Sequence, residues 1–290
     1  MRIGTFLDTS GGPAAVHDAI AAAGRRGLDA AWTNQLPGSW DPLALLAGAG
    51  PDRGPGELGT AVTLTAPVHP AALAANALTV QAAVGGRLTL GVGPGHGWFV
   101  TDQLGLPYDA VAARTREYLE ILRPLLHGEH VTHRGLFHTV DTRITVPGPP
   151  PRLLLSALGP RMLAVAGELT DGTVATWVRP DLVADHLRPA LPDTARIVVS
   201  VVTVVTSDPD AARAGIERTF GAAADMPAYR AVLERGGLTR IAETVVAGDE
   251  ETVAAELRRF ADAGATDLVL VAAGEHPERV LDVADALRTP

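Results

Sequence analysis

The chain has 290 residues, 47% of them apolar and 20% charged, with Lys+Arg 24 against Asp+Glu 33 and a net charge of −9. That balance excludes an intrinsically disordered chain, and the negative charge excludes a protein whose main task is gripping phosphate backbones. Cys is 0 and all 24 basic side chains are Arg, which excludes thiolate nucleophiles, Cys-ligated metals, Schiff-base lysines and P-loop lysines.

In chain order, short apolar and β-branched runs predict eight strands, at about 2–8, 29–34, 58–65, 87–93, 152–157, 172–178, 196–206 and 267–273. Ala-rich periodic stretches between them predict helices at about 13–26, 41–49, 70–84, 109–126, 160–169, 180–190, 208–220, 249–264 and 276–288. Gly159-Pro160 and Asp208-Pro209 place Pro at a first helical position. Asp249 caps a helix whose apolar face is Val253, Leu257 and Phe260, and Gly264 stops it. Near-continuous apolar strands are expected where both faces are covered, and alternating βα units imply a parallel sheet. The pattern predicts an α/β fold, a (β/α)8 TIM barrel forming one domain over 1–290 with insertions at about 127–150 and 221–248. The opening MRIGTFLD reads as a strand rather than a signal peptide, and the longest β-branched run, Val198 to Val205, is too short for a bilayer. A cytoplasmic protein is expected, without membrane or nucleic-acid partners. High Ala, Arg and Gly with no Lys fits a GC-rich bacterial genome, such as an actinobacterial one.

A barrel carries its chemistry at the strand C-termini. Trp32, Trp98 and Trp177 fall at or just past strand ends and Trp40 in the loop after the second strand. They either wall a pocket for a flat ligand or pack. LGVGPGHGW (90–98) ends the fourth strand with alternating glycines, which let a ligand approach the backbone. It is not a GxGxxG fingerprint, and no helix is expected directly after it. His96 in this loop is either a ring contact and acid–base group or a solvated histidine. SALGPRM (156–162) is either an anion site built on helix N–H groups or an ordinary βα turn. His127, His130, His133 and His138 lie in a predicted hairpin; with no carboxylate-rich surround and with strand alternation dividing them, no metal site is expected.

Two long stretches, ELGTAVTLTAPVHPAALAANALTVQAAVGGRLTLGVGPGH (57–96) and LLLSALGPRMLAVAGELTDGTVATW (153–177), resemble the luciferase-like monooxygenase superfamily, specifically its coenzyme F420 (deazaflavin) oxidoreductase branch. DPLALLAGA (41–49) and GDEETVAAELRRFADAGATDLVLV (248–271) add to the resemblance. It implies coenzyme F420 as cofactor, with FMN the alternative, a small-molecule substrate and a homodimer. It also implies a bulge with a non-prolyl cis peptide at Ala61-Val62 behind the ring. Asn34 and Thr176 would meet the ring's polar edge, with Gly95 and His96 beside ring and substrate, and Ala157, Leu158, Gly159 and Pro160 would hold the phosphate. Relatives carry Asp-His where this chain has Asn34 and Gln35, and an amide is a poor general base. His96 stands where some relatives have Glu, so it is the candidate proton donor and catalytic residue. Gln35, Trp40, Trp98, Phe99 and Trp177 are expected around the substrate, and Tyr108, the hairpin and residues 221–235 either shape that pocket or pack. The implied reaction moves a hydride between deazaflavin C5 and a small organic substrate, reducing an activated C=C or C=N bond. The alternatives are an FMN-dependent monooxygenase served by a reductase, a non-catalytic deazaflavin or flavin binder, and an unrelated lyase or isomerase barrel.

Overall fold

The computed structural model describes residues 1–288. Its strands are β1 (Arg2–Phe6), β2 (Ala30–Thr33), β3 (Glu57–Thr60), β4 (Thr63–Leu64), β5 (Leu88–Gly93), β6 (His130–Arg134), β7 (Thr139–Arg143), β8 (Arg152–Ser156), β9 (Gly172–Thr176), β10 (Arg196–Val205), β11 (Val246–Gly248) and β12 (Asp267–Ala272). The α-helices are α1 (Gly12–Arg25), α2 (Pro42–Ala47), α3 (Pro70–Ala83), α4 (Val111–Leu126), α5 (Pro160–Leu169), α6 (Pro180–Leu182), α7 (Pro209–Phe220), α8 (Pro227–Arg235), α9 (Glu250–Asp262) and α10 (Pro277–Arg288).

The parallel sheet runs β1-β2-β3-β5-β8-β9-β10-β12 and closes where β12 pairs with β1, giving the expected (β/α)8 barrel. The expected third strand is broken: β3 and β4 flank a cis Ala61-Val62 peptide. Among the described residues, no helix is long and apolar enough to cross a membrane. The expected caps are present. Asp249 accepts from the N–H of Thr252 at 2.8 Å, and Val253, Leu257 and Phe260 are fully buried. Gly264 ends that helix at φ +96.

Side chains fill the barrel. Ala30, Trp32, Leu154, Val174, Val198 and Val269 form one interior cluster. Trp32 is only 1% exposed, so of the two readings of the tryptophans it takes the packing one and walls no pocket. Its indole takes the volume opposite Gly59, where an added Cβ would fall 2.2 Å from the ring. At the strand N-termini, Arg196 lies between two buried carboxylates. Its Nη2 is 3.0 Å from Glu57 Oε1, and its Nε is 3.2 Å from Asp267 Oδ2. Burial opposes its charge, but Asp267 and Glu57 hold the guanidinium pKa above its usual value. Arg2 reaches the same two carboxylates from solvent.

The segment 127–150 carries the antiparallel hairpin β6–β7. The segment 221–248 contains α8 and ends in β11, a short strand that extends the sheet beside β10 and is absent from the expected elements.

Candidate active site

The end of β2 is sewn to the β3–β4 break. The N–H of Ala61 donates to Thr33 O at 2.7 Å, and the N–H of Gln35 donates to Val62 O at 3.0 Å. The side-chain Oε1 of Gln35 accepts from the N–H of Leu64 at 2.9 Å. Gln35 therefore braces the bulge through its side-chain oxygen. Asn34 is half-buried beside it, and its side chain makes no hydrogen bond among the described residues. Across the mouth, Gly93 leaves a bare backbone floor between Val62 and Ser156. A Cβ there would meet Val62 Cγ2 at 2.8 Å and Ser156 Cβ at 3.3 Å.

The loop after β5 brings the acid–base candidate in. Gly95 turns at φ +80, and its carbonyl accepts from the Tyr108 hydroxyl at 2.6 Å. The His96 ring lies 4.9 Å from the ring of Tyr229, on α8. Burial pushes the His96 pKa below its usual value, so its neutral form prevails near pH 7. Burial also pushes Tyr229 up to about 12 and raises Tyr108, so both phenols stay protonated. Sequence reasoning reached only the segment 221–235; the available signal at Tyr229 is an aromatic in an insertion, in a chain where aromatics are 4%. A π-helix, Trp98–Gln103, follows this loop directly, where no helix is expected. Wide π turns lack the 3.6-residue periodicity that marks α-helices in sequence.

The turn after β8 has the expected form, with one correction. The N–H of Ala157 is taken by Thr173 Oγ1 at 3.2 Å, so it is no anion donor. Gly159 caps α5 without a side-chain hydrogen bond, Pro160 opens the helix, and space beside Gly159 is open. Among the described residues the N–H groups of Leu158, Gly159, Arg161 and Met162 find no acceptor outside the helix. Such a terminus offers directed donors and the positive end of a helix dipole. The carbonyl of Leu158 is held from behind by His186 Nε2 at 2.8 Å, and Thr176 sits half-buried at the end of the neighbouring β9.

The tryptophans do not form one wall. Trp40 is 48% exposed and Trp98 40% exposed, each on the rim, and Trp98 stacks edge-on with Phe99. Trp177 follows β9 in a left-handed conformation, φ 57, and packs on Phe220. The hairpin histidines serve other partners: His130 approaches Asp141, while His133 and His138 flank Glu117. Among the described residues no group of three or more His, Cys, Asp or Glu is arranged to hold a metal ion.

A family model described as "Luciferase-like monooxygenase" matches residues 1–267. An F420-dependent glucose-6-phosphate dehydrogenase of Beutenbergia cavernae is 32% identical over 77% of this chain and 67% of its own. A namesake from Nakamurella multipartita is 28% identical over 93% of this chain and 90% of its own. Among solved structures, the coenzyme F420-dependent tetrahydromethanopterin reductase of Methanopyrus kandleri superposes with a TM-score of 0.82 at 22% identity, covering 98% of this chain and 97% of that one.

Proposed function

The chain belongs to the luciferase-like monooxygenase family of enzymes, and on that premise we propose that it is a coenzyme F420-dependent oxidoreductase that reduces an activated C=C or C=N bond of a small organic substrate. The observation that carries the cofactor assignment is the likeness to curated F420-dependent dehydrogenases over most of the chain. The residues present fit such a group. A Cβ at Gly93 would fill the floor between Val62 and Ser156, and the β8–α5 turn presents N–H donors with no acceptor outside the helix among the described residues. On this reading Val62, Gly93, Gly95 and His96 border the ring, Asn34 and Thr176 meet its polar edge, and Leu158, Gly159 and Pro160 hold the phosphate. When bound, the deazaflavin supplies the carbon that carries the hydride.

The protein's share is orientation and proton management. The β2–bulge stitching fixes the surface behind the ring, and His186 fixes the turn that holds the phosphate. Tyr229 shields one face of His96 from water, which favours loss of the imidazole proton. His96 in its protonated form is then a strong acid, suited to delivering a proton as the hydride arrives. Gln35 supports the direction assigned here, because it cannot accept a proton and its oxygen is spent on Leu64. The test is single-turnover oxidation of the reduced deazaflavin, bound to this protein, by a panel of enones, imines and secondary alcohol–ketone pairs. Enones or imines are expected to oxidise the cofactor fastest. A preference for the ketones would overturn the assigned bond class, and no oxidation by any member would overturn the assigned direction.

A further inference from the structure

Beside the barrel mouth lies a second cavity, of about 320 Å³, that none of the residues assigned to the cofactor lines. It is bounded by the loop after β4, by Pro94, by the segment 106–111, by α4 and by the hairpin. Tyr108 stands between cavity and mouth, with its hydroxyl on Gly95 O and its ring 3.2 Å from where a Gly97 Cβ would be.

The wall is part apolar and part polar. Ala66, Pro67, Val68, Pro94, Leu106 and Val111 supply the apolar part. The polar part includes His69, Arg114, Thr115 and His138, beside the hydroxyls of Thr65, Tyr108 and Tyr118, which are bonded to Gly93 O, Gly95 O and Val68 O; no carboxylate lines the cavity among the described residues. Arg114 is held from two sides. Its Nε and Nη2 bond Asp109 O and Oδ1 at 3.1 and 3.0 Å, and its guanidinium lies 4.2 Å over the Phe137 ring. Its Nη1 makes no hydrogen bond within the described chain. His69 accepts from the N–H of Ala71 on Nδ1, which leaves Nε2 as its proton-bearing nitrogen. Thr115 is 2% exposed, and its hydroxyl has no partner in the described chain.

The hairpin tip that closes the cavity is fixed by one buried carboxylate. Glu117 accepts from the N–H groups of Leu136, Phe137 and His138 at 2.9, 2.9 and 2.6 Å. Burial works against its charge, but those bonds and His138 keep its pKa below the ordinary value, so the tip stays anchored at neutral pH. The Phe137 ring and Arg114 are thereby placed before any ligand arrives, which lowers the entropic cost of binding.

We propose that this cavity binds an organic carboxylate with a short apolar body, its carboxylate on Arg114 and Thr115 and its body along Val68, Pro94 and Val111. This site goes beyond the proposed function, and its test needs no cofactor. Calorimetric titration of the purified protein with benzoate, and with benzyl alcohol as an uncharged match, reads it directly. Benzoate is expected to bind at least about tenfold more tightly than the alcohol, since a charge-assisted hydrogen bond, here from Arg114 Nη1, is roughly twice as strong as a neutral one. Arg114→Gln is expected to remove that difference, and Arg114→Lys to keep part of it. Val111→Trp, at a half-buried helix position, is expected to block both ligands by filling the cavity while leaving thermal unfolding close to that of the parent. Equal binding of acid and alcohol, failure of benzoate to bind, or benzoate affinity unchanged in both Arg114→Gln and Val111→Trp would each overturn the site. Because deazaflavin is absent throughout, none of these results bears on the cofactor assignment.

Discussion

Replacing Arg196 by Met is expected to lower the unfolding free energy by about 3–5 kcal/mol, the cost of leaving buried charges without their partner. Glu57 and Asp267 have side chains only 8% and 5% exposed, and both rest on this guanidinium. They lie on β3 and β12, with Arg196 on β10, so the cluster ties strands from across the closed sheet. Arg2 reaches both carboxylates, but its side chain is 41% exposed and its charge is largely spent on solvent. Met keeps the aliphatic stem, so the loss is electrostatic rather than a cavity effect. Adding Glu57→Met to Arg196→Met is expected to recover part of the loss, because fewer buried charges then stand alone. Urea unfolding followed by circular dichroism checks this. A loss below about 1 kcal/mol would match an exposed ion pair and refute the buried-cluster reading.

The second large effect is catalytic. His96→Gln is expected to slow single-turnover oxidation of the bound, reduced deazaflavin by about 10²–10⁴-fold, the range for losing a positioned acid or base, with little change in deazaflavin affinity. The wild-type rate is expected to fall as pH rises through a value below the usual 6.5, since the protonated imidazole is the active form and burial depresses its pKa. The variant loses that limb. The imidazole C2 proton resonance reports the same midpoint by NMR without any substrate. Tyr229→Ala opens the ring to water and is expected to move the midpoint up toward 6.5. A turnover rate in His96→Gln within a few-fold of the parent, with the pH limb intact, would assign the proton to another group.

Alternation of apolar runs with Ala-rich stretches made the barrel legible, because each strand is covered on both faces and each helix needs one apolar stripe. Asp249, Pro160 and Gly264 marked helix ends through local chemistry that tertiary contacts do not override. The break at Ala61-Val62 came from the resemblance, since nothing in the alternation of 58–65 marks it. Trp32 shows a limit of strand reading: in a closed barrel both faces of a strand are buried, so burial alone does not say whether a side chain fills the interior or lines the mouth. Gln35 and Ala157 sit at the expected places, but their hydrogen bonds to Leu64 and Thr173 are long-range facts that no local pattern encodes. Tyr229 meets His96 through the fold of the insertion, and Phe137 lies under Arg114 on a hairpin tip that Glu117 anchors, contacts that no local pattern encodes.

The proposed reaction requires the mouth of the barrel to hold a deazaflavin. Parallel calorimetric titrations of the purified protein with coenzyme F420 and with FMN test that most directly. Stoichiometric, micromolar binding of F420 is expected, weakened by phosphate through competition at the β8–α5 turn, with much weaker binding of FMN. Tighter binding of FMN, or binding of neither, would contradict it.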